Sequence, residues 1–576
     1  MRTWTPSLAA LAVVVLVGAA CDKSKPAAND NKAKPAEAAK DDKAKPAAED
    51  DPVKPAPKDD QAKPPAVAKD DEAKLANVAK PVKPAQPKGP PGLAVTHKAP
   101  ATDALKPLAK MVADAKLFEN VADALNKSLK FTGAIPISVQ ECGGKEDLAY
   151  DKATGTVRVC YELIASLGTL FSKDRLGKAV ERATAGSTLF LFLRAVGHAV
   201  IDHFKLAVTG NVEDAADQAA VYTLVQAGSE GAEMALHGAE LFHKLGKQEA
   251  KEGTPKFWQR LSLSEQRLYN VMCWVLGSDP SEHLVLWALM PTHRSFRCRL
   301  EYTRLAKAWD KLLAPHSKLA DKRQKEAQEP IAADAGLKAE YVAPTKNLGL
   351  KPIHDLLSTS KSFDTLFEGL NRHVKWRVKL PVRFTECGVV NAFYNRLKKR
   401  IDMCYELVEA FSTMMAQEYK GKALEDAIVG SIVFVFFHEL GHAATDLFQL
   451  PLTGREEDAV DQLAGYMLLA NHSGDANTAA WDLGERYTIA AAVAFNKLGG
   501  GDKPPPPEKL PYWGEHAFGQ QRFYSILCWV YGKDPKRYAN MVADGRLPKE
   551  RANSCVDEYK QMTMAWGKVI APHINQ

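Results

Sequence analysis

The chain has 576 residues, 46% of them hydrophobic, and its 76 Lys and Arg against 70 Asp and Glu leave a formal net charge of only +6. With so small an excess, and many of the lysines interleaved with aspartates in one N-terminal stretch, no nucleic-acid partner is expected. The length suffices for two domains with cores of their own.

At the N-terminus, Met1-Arg2 precede an apolar run, Leu8 to Val17, and then Gly18-Ala-Ala-Cys21. The run is shorter than the roughly 20 apolar residues that cross a bilayer, so residues 1–20 read as a signal peptide. Small residues directly before a cysteine resemble the lipobox of bacterial lipoproteins, which makes Cys21 the expected lipidated first residue of the mature chain. Gly18 stands where that pattern usually has Leu, and an ordinary secretory signal is the other reading. Either way the chain leaves the cytoplasm. The expected location is the cell envelope, with an N-terminal lipid anchor as the contact with the membrane and the folded part facing the periplasm or the cell surface. Residues 21–98 are built almost entirely from Ala, Lys, Pro, Asp and Glu, with no Phe, Tyr or Trp. They are expected to form a disordered tether, reaching on the order of 200 Å if fully extended.

Beyond the tether the chain repeats itself. Val196-Gly-His-Ala-Val-Ile-Asp202 and Val208-Thr-Gly-Asn-Val-Glu-Asp-Ala-Ala-Asp-Gln218 match Leu440-Gly-His-Ala-Ala-Thr-Asp446 and Leu452-Thr-Gly-Arg-Glu-Glu-Asp-Ala-Val-Asp-Gln462 at one constant offset. Upstream, Glu141-Cys142 and Cys160-Tyr-Glu-Leu163 match Glu386-Cys387 and Cys404-Tyr-Glu-Leu407. Downstream, Cys273-Trp-Val-Leu matches Cys528-Trp-Val-Tyr, and Ala314-Pro-His316 matches Ala571-Pro-His573. Residues 99–317 and 345–576 are thus two copies of one domain, with a Lys- and Glu-rich linker expected at 318–344.

Apart from Cys21, each copy has four cysteines: Cys142, Cys160, Cys273 and Cys298, then Cys387, Cys404, Cys528 and Cys555. Two disulfides per copy are expected. Pairing of neighbours is favoured because each pair brackets a short segment, although four cysteines admit three connectivities.

The chemistry lies in the second copy. Ala427 to Phe448 has helical character and is apolar all round, the mark of a buried helix, and it carries His438-Glu439-Leu440-Gly441-His442. Histidines at i and i+4 share a helical face and can grip one zinc ion, with Glu439 beside them as general base. The next segment reads as a turn and a second helix. Thr453 and Glu456 have the spacing of a capping box, which leaves Glu457 as third ligand, with Asp458 as its rival. The first copy favours Glu457, because it keeps Glu213, Asp214 and Asp217 but has Val212 in place of Glu456. Asp461, one turn on, can orient a ligand histidine. A glutamate ligand on a downstream helix resembles the gluzincin arrangement of thermolysin-like enzymes.

The strings HELGHAATD, LTGREEDAVDQLA and ECG with CYEL are similar to a bacterial family of zinc metallopeptidases of unknown physiological role. The resemblance covers most of residues 370 to 576 and, more loosely, the first copy. It implies two tandem zincin-like domains of α+β, predominantly helical fold, one zinc in the C-terminal domain, and a peptide or protein substrate. It also implies a hairpin between Cys387 and Cys404 whose edge strand adds an extended peptide, and it offers Tyr394 or Tyr466 as an oxyanion stabiliser.

In the first copy Arg194 replaces the first ligand histidine and Ala195 the glutamate, while His198, Glu213 and Asp217 persist. Arg194 is expected to pair with Glu213, making this copy an inactive pseudo-enzyme. Trp274 and Trp529 read as core aromatics beside disulfides. His316 and His573 read as structural, because the degenerate copy keeps its own. Arg455 reads as a solvated helix-start arginine or a substrate contact. The function expected is hydrolysis of peptide bonds by zinc-activated water; the alternatives are a non-catalytic peptide-binding protein and an envelope lipoprotein merely stapled by zinc.

Overall fold

The computed structural model describes residues 89–253, 255–318, 331–470, 478–501 and 503–575. The expected signal peptide, Cys21 and nearly all of the expected tether lie outside the described residues.

The first copy runs through strand β1 (Gly92–His97), helices α1 (Lys106–Ala115) and α2 (Leu117–Ser128), and strands β2 (Ala134–Gln140), β3 (Leu148–Asp151) and β4 (Thr156–Cys160). Helices α3 (Tyr161–Phe171), α4 (Lys178–Phe204), α5 (Val212–Val225), α6 (Ser229–Lys251), α7 (Ser264–Ser278), α8 (Leu284–Leu289) and α9 (Thr292–Leu313) follow. The second copy repeats the order: β5 (Gly336–Tyr341), α10 (Lys351–Ser360), α11 (Ser362–His373), β6 (Lys379–Thr385), β7 (Ala392–Asn395) and β8 (Arg400–Cys404). It continues with α12 (Tyr405–Met415), α13 (Gly421–Phe448), α14 (Glu456–Leu469), α15 (Thr478–Leu498), α16 (Gly519–Lys533), α17 (Asn540–Ala543) and α18 (Lys549–Ile570). The fold is α+β and predominantly helical, in two tandem copies.

Each sheet has the same topology, β1-β2-β4-β3 and β5-β6-β8-β7. The first two pairings are parallel and the last is an antiparallel hairpin, with Tyr394 opposite Ile401 in the second copy.

Two boundaries need correction. The strand β1 lies within the expected 21–98 tether, and β5 lies within the expected 318–344 linker. Both are short segments after Pro- or Lys-rich sequence, and what orders them is remote in the chain. Asn126 clamps Leu93 through both its amide oxygen and its amide nitrogen, at 2.8 and 2.9 Å; Asn371 does the same to Leu337 at the same distances. The clamp needs glycine at Gly92 and Gly336, where φ is +124° and +130° and a Cβ would come within 2.5 and 2.7 Å of the asparagine.

The helices α4 and α13 are long and apolar enough to cross a membrane by length and composition, but 72% of the apolar window of each is buried inside the protein. They are the axes of the two cores, as apolar-all-round helices are in globular domains. Phe434 and Phe436 are fully buried on α13, the latter packed on Phe367 and Phe363.

All four neighbour disulfides form: Cys142–Cys160, Cys273–Cys298, Cys387–Cys404 and Cys528–Cys555. Trp529 is buried beside Cys528 and packs over Gly465 of α14; Trp274 is buried in the first core. His573 stacks on Phe448 and His316 on Phe204, with centroids 4.4 and 4.2 Å apart.

The copies meet about a pseudo-twofold axis that passes between two Thr-Gly turns. The backbone N–H of Thr209 donates to Thr453 Oγ1 at 3.0 Å and that of Thr453 to Thr209 Oγ1 at 3.2 Å. Gln218 grips the backbone of Gly454 at 2.6 and 2.8 Å, and Gln462 that of Gly210 at 2.7 and 3.0 Å. Gln266 and Gln521 exchange amide hydrogen bonds at 3.0 and 2.9 Å. The turns touch so closely that a Cβ on Gly210 would lie 2.7 Å from the Thr453 carbonyl oxygen. Every one of these groups is satisfied by its counterpart, which is what allows so polar a seam to be buried.

Candidate metal centre

His438 and His442 stand one turn apart on α13, their rings 5.0 Å apart. Between them Gly441 lets α14 come close, since a Cβ there would lie 2.8 Å from Val460. That approach brings in Glu457: His438 Nε2 and His442 Nε2 are each 3.3 Å from Glu457 Oε2. The possible ligand atoms of the three residues lie within 4.8 Å of one another. His438, Glu439 and Glu457 are all buried.

Glu457 Oε2 is buried and forms no hydrogen bond, although imidazole nitrogens surround it. A divalent cation among these atoms would satisfy it, and two imidazoles with one carboxylate suit zinc while leaving a fourth position open. Asp458, the rival ligand, is turned away into an ion pair with Arg455 at 2.8 Å.

The far side of each histidine is held by a carboxylate. Asp461 Oδ1 lies 2.7 Å from His438 Nδ1, and Glu456 Oε1 lies 2.9 Å from His442 Nδ1. An Nδ1–H donated to a carboxylate leaves the Nε2 lone pair facing Glu457, the tautomer a metal ligand needs. Asp461 is itself gripped at 2.7 and 2.6 Å by Arg522, whose guanidinium lies 3.4 Å over the Phe495 ring. Glu456 accepts from Arg396 at 2.8 Å and from Arg304.

The expected capping box is therefore absent. Arg455 is the N-cap of α14, without a side-chain cap, Thr453 is committed to Thr209, and charged donors claim Glu456. Arg455 is not a solvated helix-start residue: it is buried between Asp458 and, across the pseudo-twofold, Asp214 at 3.3 Å.

Charge also holds the cluster together. Burial disfavours the protonated His442, but the Glu457 and Glu456 carboxylates outweigh it and hold its pKa well above the ordinary value. Burial also opposes ionisation of Glu457, and His516, His442 and His438 overcome it, holding that carboxyl well below the usual range. A metal entering here must displace imidazole protons, so its affinity rises with pH.

His516 was not anticipated from the sequence. It lies in the loop before α16, 57% exposed, with Nε2 only 2.9 Å from Glu457 Oε2 and its ring stacked 6.0 Å from that of His438. The first copy has Leu261 at this position, between the matched pairs Trp258/Trp513 and Gln266/Gln521; that single difference was the available signal. Tyr394 donates its hydroxyl to Asp446 at 2.8 Å and Tyr466 is buried in the core; neither belongs to this cluster.

In the first copy Arg194 pairs with Glu213 and lies 3.0 Å from Asp217. His198 Nε2 is 3.2 Å from Glu213, and Arg260 approaches the same carboxylate at 3.6 Å. Arg267 holds Asp217 at 2.7 and 2.9 Å, as Arg522 holds Asp461. Ala195 is buried where the second copy has Glu439. The Arg194 guanidinium stands where the second copy presents the His438 imidazole, and His198 keeps the place of His442.

A family model described as putative metallopeptidase matches the chain twice, over residues 97–313 and 341–570. No curated protein and no solved structure matches it.

Proposed function

Because the chain belongs to this putative metallopeptidase family in both of its copies, we propose that it is a cell-envelope lipoprotein and a zinc peptidase of gluzincin type. The second copy is catalytic and the first is an inactive duplicate. The observation that carries this reading is the convergence of His438, His442 and Glu457 around an unbonded carboxylate oxygen, with Glu439 on the same helix.

Zinc held by these three residues would polarise a scissile carbonyl and acidify water. Glu439 takes the proton from the attacking water and returns it to the leaving amine. Asp461 and Glu456 keep both imidazoles in the ligating tautomer, and His516, 57% exposed, is the imidazole of the cluster most open to solvent and so to a substrate. The strand β7 forms the sheet edge and carries half-exposed Phe393, which suits an extended peptide added as a further strand. The signal-like Leu8–Val17 run and Cys21 support an envelope location, and so do four disulfides, which persist in oxidising compartments.

One observation favours a second reading. Were His516 a fourth ligand, no position would remain for substrate and the zinc would act as a structural staple. Metal content and peptidase activity of the full chain, beside Glu439→Gln, decide between them. One zinc per chain with activity only in the wild type supports the enzyme. Zinc without activity in either supports the staple, and a wild type that takes up no zinc overturns both.

A further inference from the structure

The pseudo-twofold seam is nearly self-complementary, and it departs from symmetry beside the metal centre. The helix α9 of the first copy sends Arg304 across to Glu456 of the second, the carboxylate that receives His442 Nδ1 at 2.9 Å. The matched positions in the opposite direction are Gln561 and Val212, so no charged pair runs that way.

A second crossing has the same sense. Arg297 of α9 meets Glu515 at 2.8 Å, with Arg294 at 3.9 Å, and Glu515 adjoins His516. The counterparts of Arg297 and His516 are Ser554 and Leu261. The reverse crossing, Arg260 to Glu558 at 3.7 Å, leads only to the degenerate site.

We propose that the first copy is a built-in subunit that positions the metal site of the second, with Arg304 holding Glu456 so that Glu456 can hold the ring of His442. Glu456 is 20% exposed and lies beside Glu457 in the chain. Two acidic side chains so close repel, and cations are needed to fix one of them on the outer nitrogen of the histidine. Arg396, from the second copy itself, supplies one cation; Arg304 supplies the other. A carboxylate behind a ligand histidine carries about 10- to 100-fold in metal affinity, and Arg304 acts on that quantity while touching no ligand. The duplicate is thereby retained for its outer helix face, although its own site has lost the catalytic residues.

This rests on the reading of His438, His442 and Glu457 as metal ligands, and the test separates the two. Zinc affinity of the full chain is measured by competition with a chromophoric chelator, alongside the melting temperature of the metal-free protein. Arg304→Gln should weaken zinc binding about tenfold or more, and Arg304→Lys should restore most of it because it returns the charge. Lys311→Met removes another crossing from α9, the 3.2 Å bond to the Gln449 carbonyl, and should leave zinc affinity unchanged. In the double variant Arg304→Gln, Glu456→Gln the two losses should be far from additive, because both break one relay. If the wild type binds zinc and Arg304→Gln binds it equally well, the positioning role is overturned and the metal site stands. If the wild type binds no zinc, both fall. A loss equal in Arg304→Gln and Lys311→Met would mean that any damage to the seam matters and Arg304 has no particular role.

Discussion

Replacing Asp461 with Asn should lower zinc affinity and protein stability by separable amounts. Asp461 accepts the His438 Nδ1 contact at 2.7 Å and both Arg522 bonds, at 2.7 and 2.6 Å. Asn keeps one acceptor and loses the charge, so His438 becomes a poorer and less firmly oriented ligand, at a cost of about 10- to 100-fold in affinity, or about 1.4 to 2.7 kcal/mol. Arg522, its side chain 14% exposed, also loses its counter-charge, which should cost about 3 kcal/mol in the metal-free protein. The chain contains its own control. Asp217 receives the equivalent pair from Arg267 at 2.7 and 2.9 Å, so Asp217→Asn should show the stability loss with zinc affinity untouched. Chelator competition reads the first quantity and calorimetry of the metal-free protein the second, as a drop in melting temperature on the order of 10 °C. The reasoning is refuted if both variants bind zinc like the wild type, or if both lose zinc affinity equally.

Restoring the motif in the first copy, with Arg194→His and Ala195→Glu together, should raise metal content from one zinc to two per chain by elemental analysis. The new site should be the weaker, since Val212 offers His198 no carboxylate. Arg194→Met should lower stability by about 3 kcal/mol in denaturant unfolding, because it takes the nearest cation from Glu213 and one of two from Asp217. Burial raises the Glu213 pKa, but the His198 hydrogen bond and the Arg194 and Arg260 charges overcome it and hold the carboxyl far below its ordinary range. Its stabilising contribution is thus complete above the unfolded value of about 4.3 and is lost as pH falls below that; acid melting curves of Glu213→Gln should be flatter than those of the wild type. Loss of Cys528–Cys555, whose partners are 27 residues apart, should cost about 3.5 kcal/mol by loop-closure entropy, measured on the paired serine variant.

Much of the site was legible because it is local. The His438/His442 pair and Glu439 follow from helical spacing, and comparison of the two copies singled out Glu457 over Asp458. The long helix α13 followed from an apolar run too long for a strand, and the neighbour disulfides from short separations. What could not be read depends on contacts distant in the chain. Thr453 and Glu456 satisfy a capping-box pattern, yet one is taken by Thr209 and the other by Arg304, both from the opposite copy. Arg455 looks like an exposed helix-start residue until Asp214 is brought against it. The strands β1 and β5 are too short to announce themselves without the asparagine clamps. His516 sits in a Gly- and Pro-rich loop with no periodicity, and only its replacement by Leu261 in the first copy sets it apart.

The two sites share a charge requirement that explains which losses the first copy could survive. In the second copy the buried carboxylates Glu439, Glu457 and Asp461 face one arginine, Arg522, which leaves two negative charges for a metal or protonated imidazoles to meet. In the first copy, with Ala195 at the position of Glu439, Glu213 and Asp217 against Arg267 leave one. A neutral residue at position 194 would leave Glu213 to His198 and the more distant Arg260 alone, at a cost of about 3 kcal/mol. Arginine avoids this: its guanidinium reaches both carboxylates from the helix position that matches His438 and cannot lose its proton. A site filled in this way has its charge met by the chain itself, so the first copy keeps the shape of the seam at any metal concentration. If zinc binds at His438, His442 and Glu457, the second copy has a metal-independent surface to pack against whether its own site is filled or empty.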